Sequence, residues 1–416
     1  MTTLALLLAL ALQQDDKGFL GLHEADMSIG AADGSWNLLL SGILEFEHYE
    51  FQEDPPGLLF YKKDDGYTSN PRATFFGDLT IGERFFGFIQ ARGDRGFDPN
   101  YTGMMHIYDG RIDELFLRYT FHQGENSMAA VQVGKFATPI GNFVPRHDSM
   151  KNPFVRQPIV YDHVTTIGDN AIGPKSPPPS SQALINRRDI DDLKDRWVTM
   201  IWGPVYHHGL MVFGAVGTFD ARLAWVNAAP SERPLEWDQQ RLDFDVYNFS
   251  GRVGWNPFIG FRLGVSASHG PYLSERVEDA GVDQDKFAQT LVGLDLEYAI
   301  GHLQLFAEIY GSRWEVPNVD DDPVAVSWYV EGRYKLSGIL PGLYVCARVG
   351  QIFANEIDRP SGGSATWERT SYRTEIGAGW FVYVNLLLKA EYEINHTNGP
   401  NDPRDNMASF SLSLSF

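Results

Sequence analysis

The segment Met407-Ala-Ser-Phe-Ser-Leu-Ser-Leu-Ser-Phe416 places apolar side chains at 408, 410, 412, 414 and 416, with a serine between each and the next. Successive side chains of a β-strand project to opposite faces, so this stretch offers one apolar face and one face of small hydroxyls. The same two-sided code recurs. Leu386, Leu388, Ala390, Tyr392 and Ile394 oppose Asn385, Lys389, Glu391, Glu393 and Asn395, while Val326, Trp328, Val330 and Tyr334 oppose Ser327, Glu331, Arg333 and Lys335. A soluble sandwich buries its apolar faces together and leaves charge on the outside. Segments long enough to cross a bilayer at a tilt, about 9 to 11 residues, with all their charge on one face, point instead to lipid outside and a polar lumen within.

Composition narrows the class. Past the first dozen positions no apolar run approaches the roughly 18 residues of a membrane helix, which excludes a helical membrane protein. Aromatic residues make up 13% of the chain and 41 glycines are spread through it, as aromatic girdles and tight turns require. The texture never changes as a domain boundary would demand, so the 416 residues read as one large unit. A lone cysteine, Cys346, permits no internal disulfide and is no obstacle to export. Leu4 to Leu12 form a short apolar core, and Ala9-Leu10-Ala11 supplies a small-x-small cleavage pattern, although no Lys or Arg precedes it. The expected organisation is a signal peptide over 1–11, an N-terminal periplasmic stretch over 12–34 and a β-barrel over 35–416.

Short links around Gly82, Gln123 to Asn126, Phe219, Pro257, Ile300, Leu340 and Tyr383 alternate with long polar stretches near 51–70, 94–110, 137–207, 230–245, 271–285, 314–324, 355–367 and 397–405. With both termini on one side, this alternation predicts a transmembrane antiparallel barrel of 16 strands, with 18 possible if "RWVTMIWG" at 196–203 adds to the wall. Such a wall encloses a water-filled lumen unless a loop folds inward. The third loop, 137–207, is the candidate: its length of about 70 residues far exceeds ordinary connections. Pro139, Gly141, Pro145, Pro153 and Pro158 force the chain out of the wall near Phe136. Phe143, Phe154 and Tyr161 then serve as anchors on the inner surface. "SPPPSS" at 176–181 reads as a stiff extended run and 181–195 as a possible short helix.

The formal charge is −20. The period-two assignment sends Arg72, Arg84, Arg92, Arg118, Arg252, Arg262, Arg333, Lys335, Arg348, Arg373 and Lys389 inward, against Glu45, Glu47, Asp78, Glu114, Asp295, Glu297, Glu308, Glu331, Glu375, Glu391 and Glu393. The wall therefore balances, and the excess acid belongs to the loops, in clusters such as Glu53-Asp54, Asp64-Asp65 and Asp320-Asp321-Asp322. These are solvated mouth charges, or sites for divalent ions that bridge lipopolysaccharide. The third loop is the exception. Lys135, Arg146, Lys151 and Arg156, with His147, face only Asp148 between 135 and 160, so an inward fold would present a positive constriction to anions. The bland alternative is that these cations pair with wall acids such as Glu114 and Glu308 and hold the loop in place.

The run Val133 to Thr166, "VGKFATPIGNFVPRHDSMKNPFVRQPIVYDHVTT", together with "IWGPVYHHGLMVFGAVG" and "AWVNAAPSERPLEWD", resembles porins of the phosphate-selective porin O and P family. The last strand, closing on Phe416, is similar to the signal by which bacterial outer-membrane barrels are recognised for insertion. The resemblance implies a sixteen-stranded homotrimer in the bacterial outer membrane, among lipid and lipopolysaccharide, passing anions through a basic constriction. Carried over by position are Lys135, Arg146, Lys151 and Arg156. The wall shows no ladder of closely spaced lysines and arginines, a departure from that family.

The expected function is passive diffusion of small hydrophilic solutes or ions, mildly anion-preferring, with no enzyme chemistry, no cofactor and no nucleic-acid partner. Two rivals remain. Inward Phe76, Phe86, Phe88, Phe116 and Phe306 suit a hydrophobic-substrate transporter. His147-Asp148-Ser149 and His207-His208 contain hydrolase residue types, but adjacent residues of an extended loop point in different directions and do not converge as a triad must. No HExxH, Walker or dinucleotide-binding glycine pattern occurs.

Overall fold

The computed structural model describes residues 27–53, 57, 66–94, 109–168, 197–232, 247–273, 282–317, 321–358, 363–398, 402 and 404–416. The expected leader at 1–11, the proline run at 176–181, the short helix at 181–195 and the acids Asp54, Asp64, Asp65 and Asp320 lie outside these residues.

Sixteen wall strands follow one another in order: β1 Trp36–Phe51, β2 Tyr67–Ile81, β3 Phe85–Asp94, β4 Asp109–Gly124, β5 Ser127–Ala137, β6 Tyr206–Val216, β7 Phe219–Val226 and β8 Asn248–Phe258. The second half comprises β9 Phe261–Pro271, β10 Ala288–Ile300, β11 Leu303–Trp314, β12 Val324–Lys335, β13 Leu343–Ala354, β14 Ser371–Tyr383, β15 Leu386–Thr397 and β16 Met407–Ser415. Each pairs antiparallel with its neighbours, and β1 meets β16 with Ile43 opposite Ser415, so the sheet closes and exposes no edge. The strand count is 16 and not 18: Trp197–Thr199 pairs with Val164–Gly168 in a separate two-stranded ribbon, not with the wall. Phe416 completes the seam by exchanging backbone hydrogen bonds with Gly42 (2.9 and 3.0 Å). A Cβ on Gly42 would lie 2.6 Å from the Phe416 ring, so only glycine admits that ring here.

Alternation sorts the wall as the sequence pattern requires. In β16 Ser409, Ser411 and Ser413 are buried within, while Phe410 and Leu412 face out. Leu223 is 61% exposed and Ile376 59%, on a surface carrying many other bare aliphatic side chains, which only a lipid environment makes favourable. Aromatic rings cluster at both rims. Phe85–Tyr119, Phe219–Trp255 and Phe258–Phe261 mark the short-turn end; Trp225–Tyr247–Phe249 mark the long-loop end.

The third loop leaves the wall after Ala137 and folds inward. Its apolar residues, among them Ile140, Phe143, Ile159, Met200, Ile201 and Trp202, form a core with inward residues of β10–β13 such as Leu291, Tyr310, Trp314, Tyr329 and Ile352. The entry requires a bare backbone. Gly141 has φ +60°, and a Cβ there would lie 2.2 Å from the Tyr310 hydroxyl and 2.3 Å from Glu308.

Candidate functional site: the lumen and its loop

A loop buried inside a barrel must find partners for its backbone groups, and here charged wall side chains supply them. Glu308 on β11 accepts hydrogen bonds from the backbone N–H of Asn142 (2.5 Å) and Phe143 (3.0 Å) and from the Tyr161 hydroxyl (2.7 Å). Glu391 on β15 takes the N–H groups of Val155 and Arg156 at 2.7 and 3.2 Å. The Lys389 ammonium donates to the carbonyls of Ser149, Asn152 and Phe154 at 3.0, 3.3 and 2.8 Å. Glu114 accepts from the Ala137 N–H at 3.4 Å, where the chain leaves the wall. Phe143, Phe154 and Tyr161 are all buried, Phe154 against Tyr344, Cys346 and Leu387.

A lattice of ion pairs runs beneath the loop. Arg146 reaches Glu331 (2.6 Å) and the Tyr329 hydroxyl (3.0 Å). Glu331 also holds Arg348 (3.1 Å), which pairs with Glu375 and donates to the Arg156 carbonyl (2.9 Å). Arg156 pairs with Asp162 of its own loop; Asp162 in turn takes Arg373 (2.6 Å), and Arg373 reaches Glu393 (3.2 Å). Thus wall acids do hold the loop, but Glu114 and Glu308 do so through its amides, not its cations.

The loop leaves space beside β1–β4 and toward the short-turn end. At the long-loop end a cavity of about 140 Å³ is walled by Glu47, Arg72, Arg92, Asp94, Arg111 and the loop residues His147 and Arg156. A second cavity of about 510 Å³, on the other side of the narrowing, shares Arg72, Arg92 and His147 with it. A third, about 990 Å³, opens at the short-turn end and shares Gly141, Pro145, Met150, Lys151 and Arg222 with the second. The narrow part therefore runs between His147 and the wall arginines. Those arginines are neutralised along the wall: Arg72 reaches Glu47 (3.2 Å) and Asp94 (3.5 Å), Arg92 reaches Asp94 (3.4 Å) and Asp113 (3.2 Å), and Arg111 reaches Asp113 (2.8 Å). The wide vestibule is different. Arg146, Lys151, Arg222, Arg252, Arg262, Arg333 and Lys335 line it with the single acid Glu297; Arg146, Lys151, Arg252 and Arg262 pair with Glu331, Asp148, Asp295 and Asp220, whereas among the described residues Arg222, Arg333 and Lys335 form no ion pair.

The expected constriction residues separate into distinct places. His147 stands at the narrowing: its Nδ1 lies 2.6 Å from the Val144 carbonyl and its Nε2 2.9 Å from the Tyr206 hydroxyl. A carbonyl only accepts, so Nδ1 carries the proton and Nε2 accepts from Tyr206. Burial holds this imidazole below its ordinary pKa, with the charge of Asp148 opposing the shift. Arg146 and Lys151 line the vestibule, and Arg156 the small outer cavity. Lys135 lines none of the three; its ammonium donates to the Ile112 carbonyl at 2.9 Å. On the wall, Arg118, Glu114, Arg262, Glu308, Arg333, Arg348 and Arg373 all turn inward. Arg84 does not: it sits exposed in the turn between β2 and β3, because β2 ends at Ile81 and β3 begins only at Phe85.

Sequence reasoning missed Asp94, Arg111, Asp113, Asp220 and Arg222. Asp94 keeps the parity of Arg92 but fell at the start of the expected loop 94–110, and a β-bulge explains Arg111 and Asp113. Gln90 opposes Glu114 while Ala91 opposes Ile112, so Asp113 is an extra residue and turns inward beside Glu114, reversing the parity before it. Asp220 and Arg222 alternate with Phe219, Ala221 and Leu223, a signal that was present in a short strand. The hydrolase residues do not assemble. Asp148 accepts from the N–H groups of Met150 and Lys151, His147 is engaged as above, and none of His147, Asp148 and Ser149 hydrogen-bonds another.

No protein-family model and no curated protein matches the chain. Solved structures do, over nearly its whole length. The outer membrane channel DcaP of Acinetobacter baumannii matches with TM-score 0.55 and 13% identity, covering 93% of this chain and 99% of that one. OmpF of Salmonella typhi, in complex with daunomycin, gives 0.54 and 13%, covering 94% and 100%. An anion-selective porin from Comamonas acidovorans gives 0.52 and 10%, covering 92% and 100%. At such identities the likeness shows the fold: a sixteen-stranded barrel of the outer-membrane porin type.

Proposed function

We propose that this chain is a porin of the bacterial outer membrane, passing small hydrophilic solutes and ions by passive diffusion with a mild preference for anions. The observation that carries it is the sequence of three cavities joined through shared walls, which threads the lumen from the long-loop end past His147, Arg72 and Arg92 into the basic vestibule. Such a passage supplies water and fixed charge where lipid would strip a solute's hydration. The preference arises in the vestibule, where Arg222, Arg333 and Lys335 raise local anion concentration without a paired carboxylate, more than in the narrowing, where arginines and carboxylates cancel. The basic residues that the resemblance to the phosphate-selective family carries over include Lys135, which is turned to the Ile112 carbonyl of β4, and Arg156, which pairs with Asp162 of its own loop. A general anion preference therefore fits better than a phosphate site. The apolar exterior suits lipid and lipopolysaccharide contact, and a homotrimer is the expected assembly.

A hydrophobic-substrate transporter fits less well, since Phe76, Phe88 and Phe116 line a cavity they share with Arg72, Arg92, Arg118 and Arg222, and Phe306 lies under Arg146 in the basic vestibule. Planar-bilayer recording tests the proposal. Purified protein is expected to give stepwise ohmic currents in potassium chloride and a reversal potential, across a salt gradient, displaced toward chloride. Lys151→Glu is expected to move that potential toward potassium. Absence of ionic current sinks the porin reading, and a cation preference indifferent to Lys151→Glu sinks the vestibule account.

A further inference from the structure

Beside the charges of the 510 Å³ cavity stands an aromatic shelf, of which Phe88 and Phe116 line the cavity itself. Phe86 and Phe88 on β3 and Phe116 on β4 turn into the lumen with ring centroids 5.4 to 6.4 Å apart. The Arg118 guanidinium lies over this shelf, 5.3 Å from the Phe86 and Phe116 centroids and 4.7 Å from that of Phe213 on β6. Its Nε and Nη2 donate to the Gln132 side-chain carbonyl at 3.1 and 2.8 Å, so a neutral group orients it. Arg222 lies on β7 opposite Phe213 and lines the same cavity. Among the described residues neither Arg118 nor Arg222 forms an ion pair, whereas Arg72, Arg92, Arg252, Arg262, Arg348 and Arg373 each reach a carboxylate within 4.0 Å. Two planar donors with no ion-pair partner among the described residues, beside four aromatic rings, constitute a site for a ligand that carries both a ring and a negative charge.

We propose that Arg118 and Arg222, with the shelf of Phe86, Phe88, Phe116 and Phe213, bind a small aromatic carboxylate as it passes the lumen. The carboxylate takes the guanidinium donors, a pairing whose geometry suits arginine. The ring lies against the phenylalanines in offset or edge contact. An aliphatic anion obtains only the first interaction and a neutral aromatic only the second, so the site selects the combination. This deepens the porin reading and rests on it: the site would let aromatic anions dwell in the channel ahead of other small anions.

Benzoate is the probe, with acetate and benzyl alcohol as single-feature comparators. In bilayers, benzoate is expected to block chloride current at a concentration about tenfold below acetate, and the double substitution R118Q/R222Q to raise its half-blocking concentration by about tenfold, as loss of charge-assisted hydrogen bonds implies. F88L/F116L is expected to bring benzoate to the level of acetate, and it keeps the test alive if the arginine variant fails to fold. Saturation-transfer NMR with the detergent-folded barrel, its folding checked by heat-modifiable gel migration, reads binding without current: transfer to benzoate ring protons should fall sharply in either double variant. Equal block by benzoate and acetate, or benzoate transfer that survives both double variants, overturns the proposal. Ionic current with no benzoate effect defeats this site alone; no current at all defeats the porin reading, while NMR still decides the site.

Discussion

The two sides of this lumen carry the same kinds of residue and use them for opposite ends. Along β10–β15 most inward charges are sealed under the third loop and act as fasteners: Glu308, Glu391 and Lys389 satisfy its backbone, and Arg348 ties Glu331 to Glu375, while Glu297, Arg333 and Lys335 open on the vestibule. Along β1–β4 most inward charges pair with one another, within a strand or across neighbouring ones, and border the passage; Glu114, which takes the Ala137 N–H, and Arg118, which rests on Gln132, are exceptions. What separates them is the apolar core. Where the loop packs Phe143, Ile159 and Trp202 against Tyr310, Trp314 and Tyr329, water is excluded and an ion pair becomes a structural commitment. Where no such packing occurs, charge remains available to a solute.

The sealed side predicts the largest effects. Arg348→Met leaves Glu331 and Glu375 buried without this partner, and removal of one member of a buried pair costs about 3 to 5 kcal/mol. The heat-modifiability midpoint of the barrel should fall markedly; an unchanged midpoint would mean that this side is wetter than its burial indicates. Glu308→Ala strips acceptors from two amides and the Tyr161 hydroxyl, a loss of about 2 to 3 kcal/mol localised in the loop. It should appear as noisier, larger single-channel currents and faster proteolysis between 138 and 205, with the barrel midpoint little changed. Glu308→Gln, which keeps an acceptor, should lie between this variant and the wild type.

The passage side predicts changes of selectivity more than of stability. Arg92→Gln frees Asp94 and Asp113 from one counter-charge at the narrowing, and with water nearby the electrostatic change is about 1 kcal/mol or less. The permeability ratio of chloride to potassium should drop by a few-fold, with a smaller shift in midpoint than Arg348→Met gives. If the order reverses, with Arg92 governing stability and Arg348 selectivity, the division of the lumen drawn above is wrong.

Much of this was legible in the sequence, and the limits have physical causes. Alternation around Lys389, Glu391 and Glu393 declares a polar interior because the side-chain period of a strand is independent of what lies across from it. Short and long links counted the strands for a similar reason, each being a local property of the chain. A long loop rich in proline and glycine declared that it must leave the wall at Phe136. Partnership was not legible. That Glu308 would serve two amides of its own loop, that Arg156 would choose Asp162, and that Lys135 would turn to the Ile112 carbonyl depend on register and loop path, which bring together residues far apart in sequence. The bulge at Gln90 misled in another way: a single extra residue reverses parity, so Asp113 escaped a rule that held for Glu114 and Arg118.

The smallest predicted effect lies at the boundary between the two sides, where His147 joins the loop to Tyr206 and to the passage. Around it stand Asp148 on its own loop, Arg92 on β3 and Asp113 on β4, so it faces charges of both signs. Burial lowers its pKa below the ordinary value near 6.5, hence the folded protein holds the neutral ring while the unfolded chain takes up a proton first. Between the folded and unfolded values the unfolded state binds more protons, so stability rises with pH there and falls on acidification below about 6.5. Protonation also converts Nε2 from acceptor to donor, and the Tyr206 hydroxyl must then turn its own proton elsewhere. A modest loss of midpoint and a change in chloride current are expected on going from pH 7.5 to 4.5, both diminished in His147→Gln, whose amide retains a donor and an acceptor without titrating. The difference between the two pH curves isolates His147 from the carboxylates that titrate in both proteins, and coincident curves would place it outside the narrowing altogether.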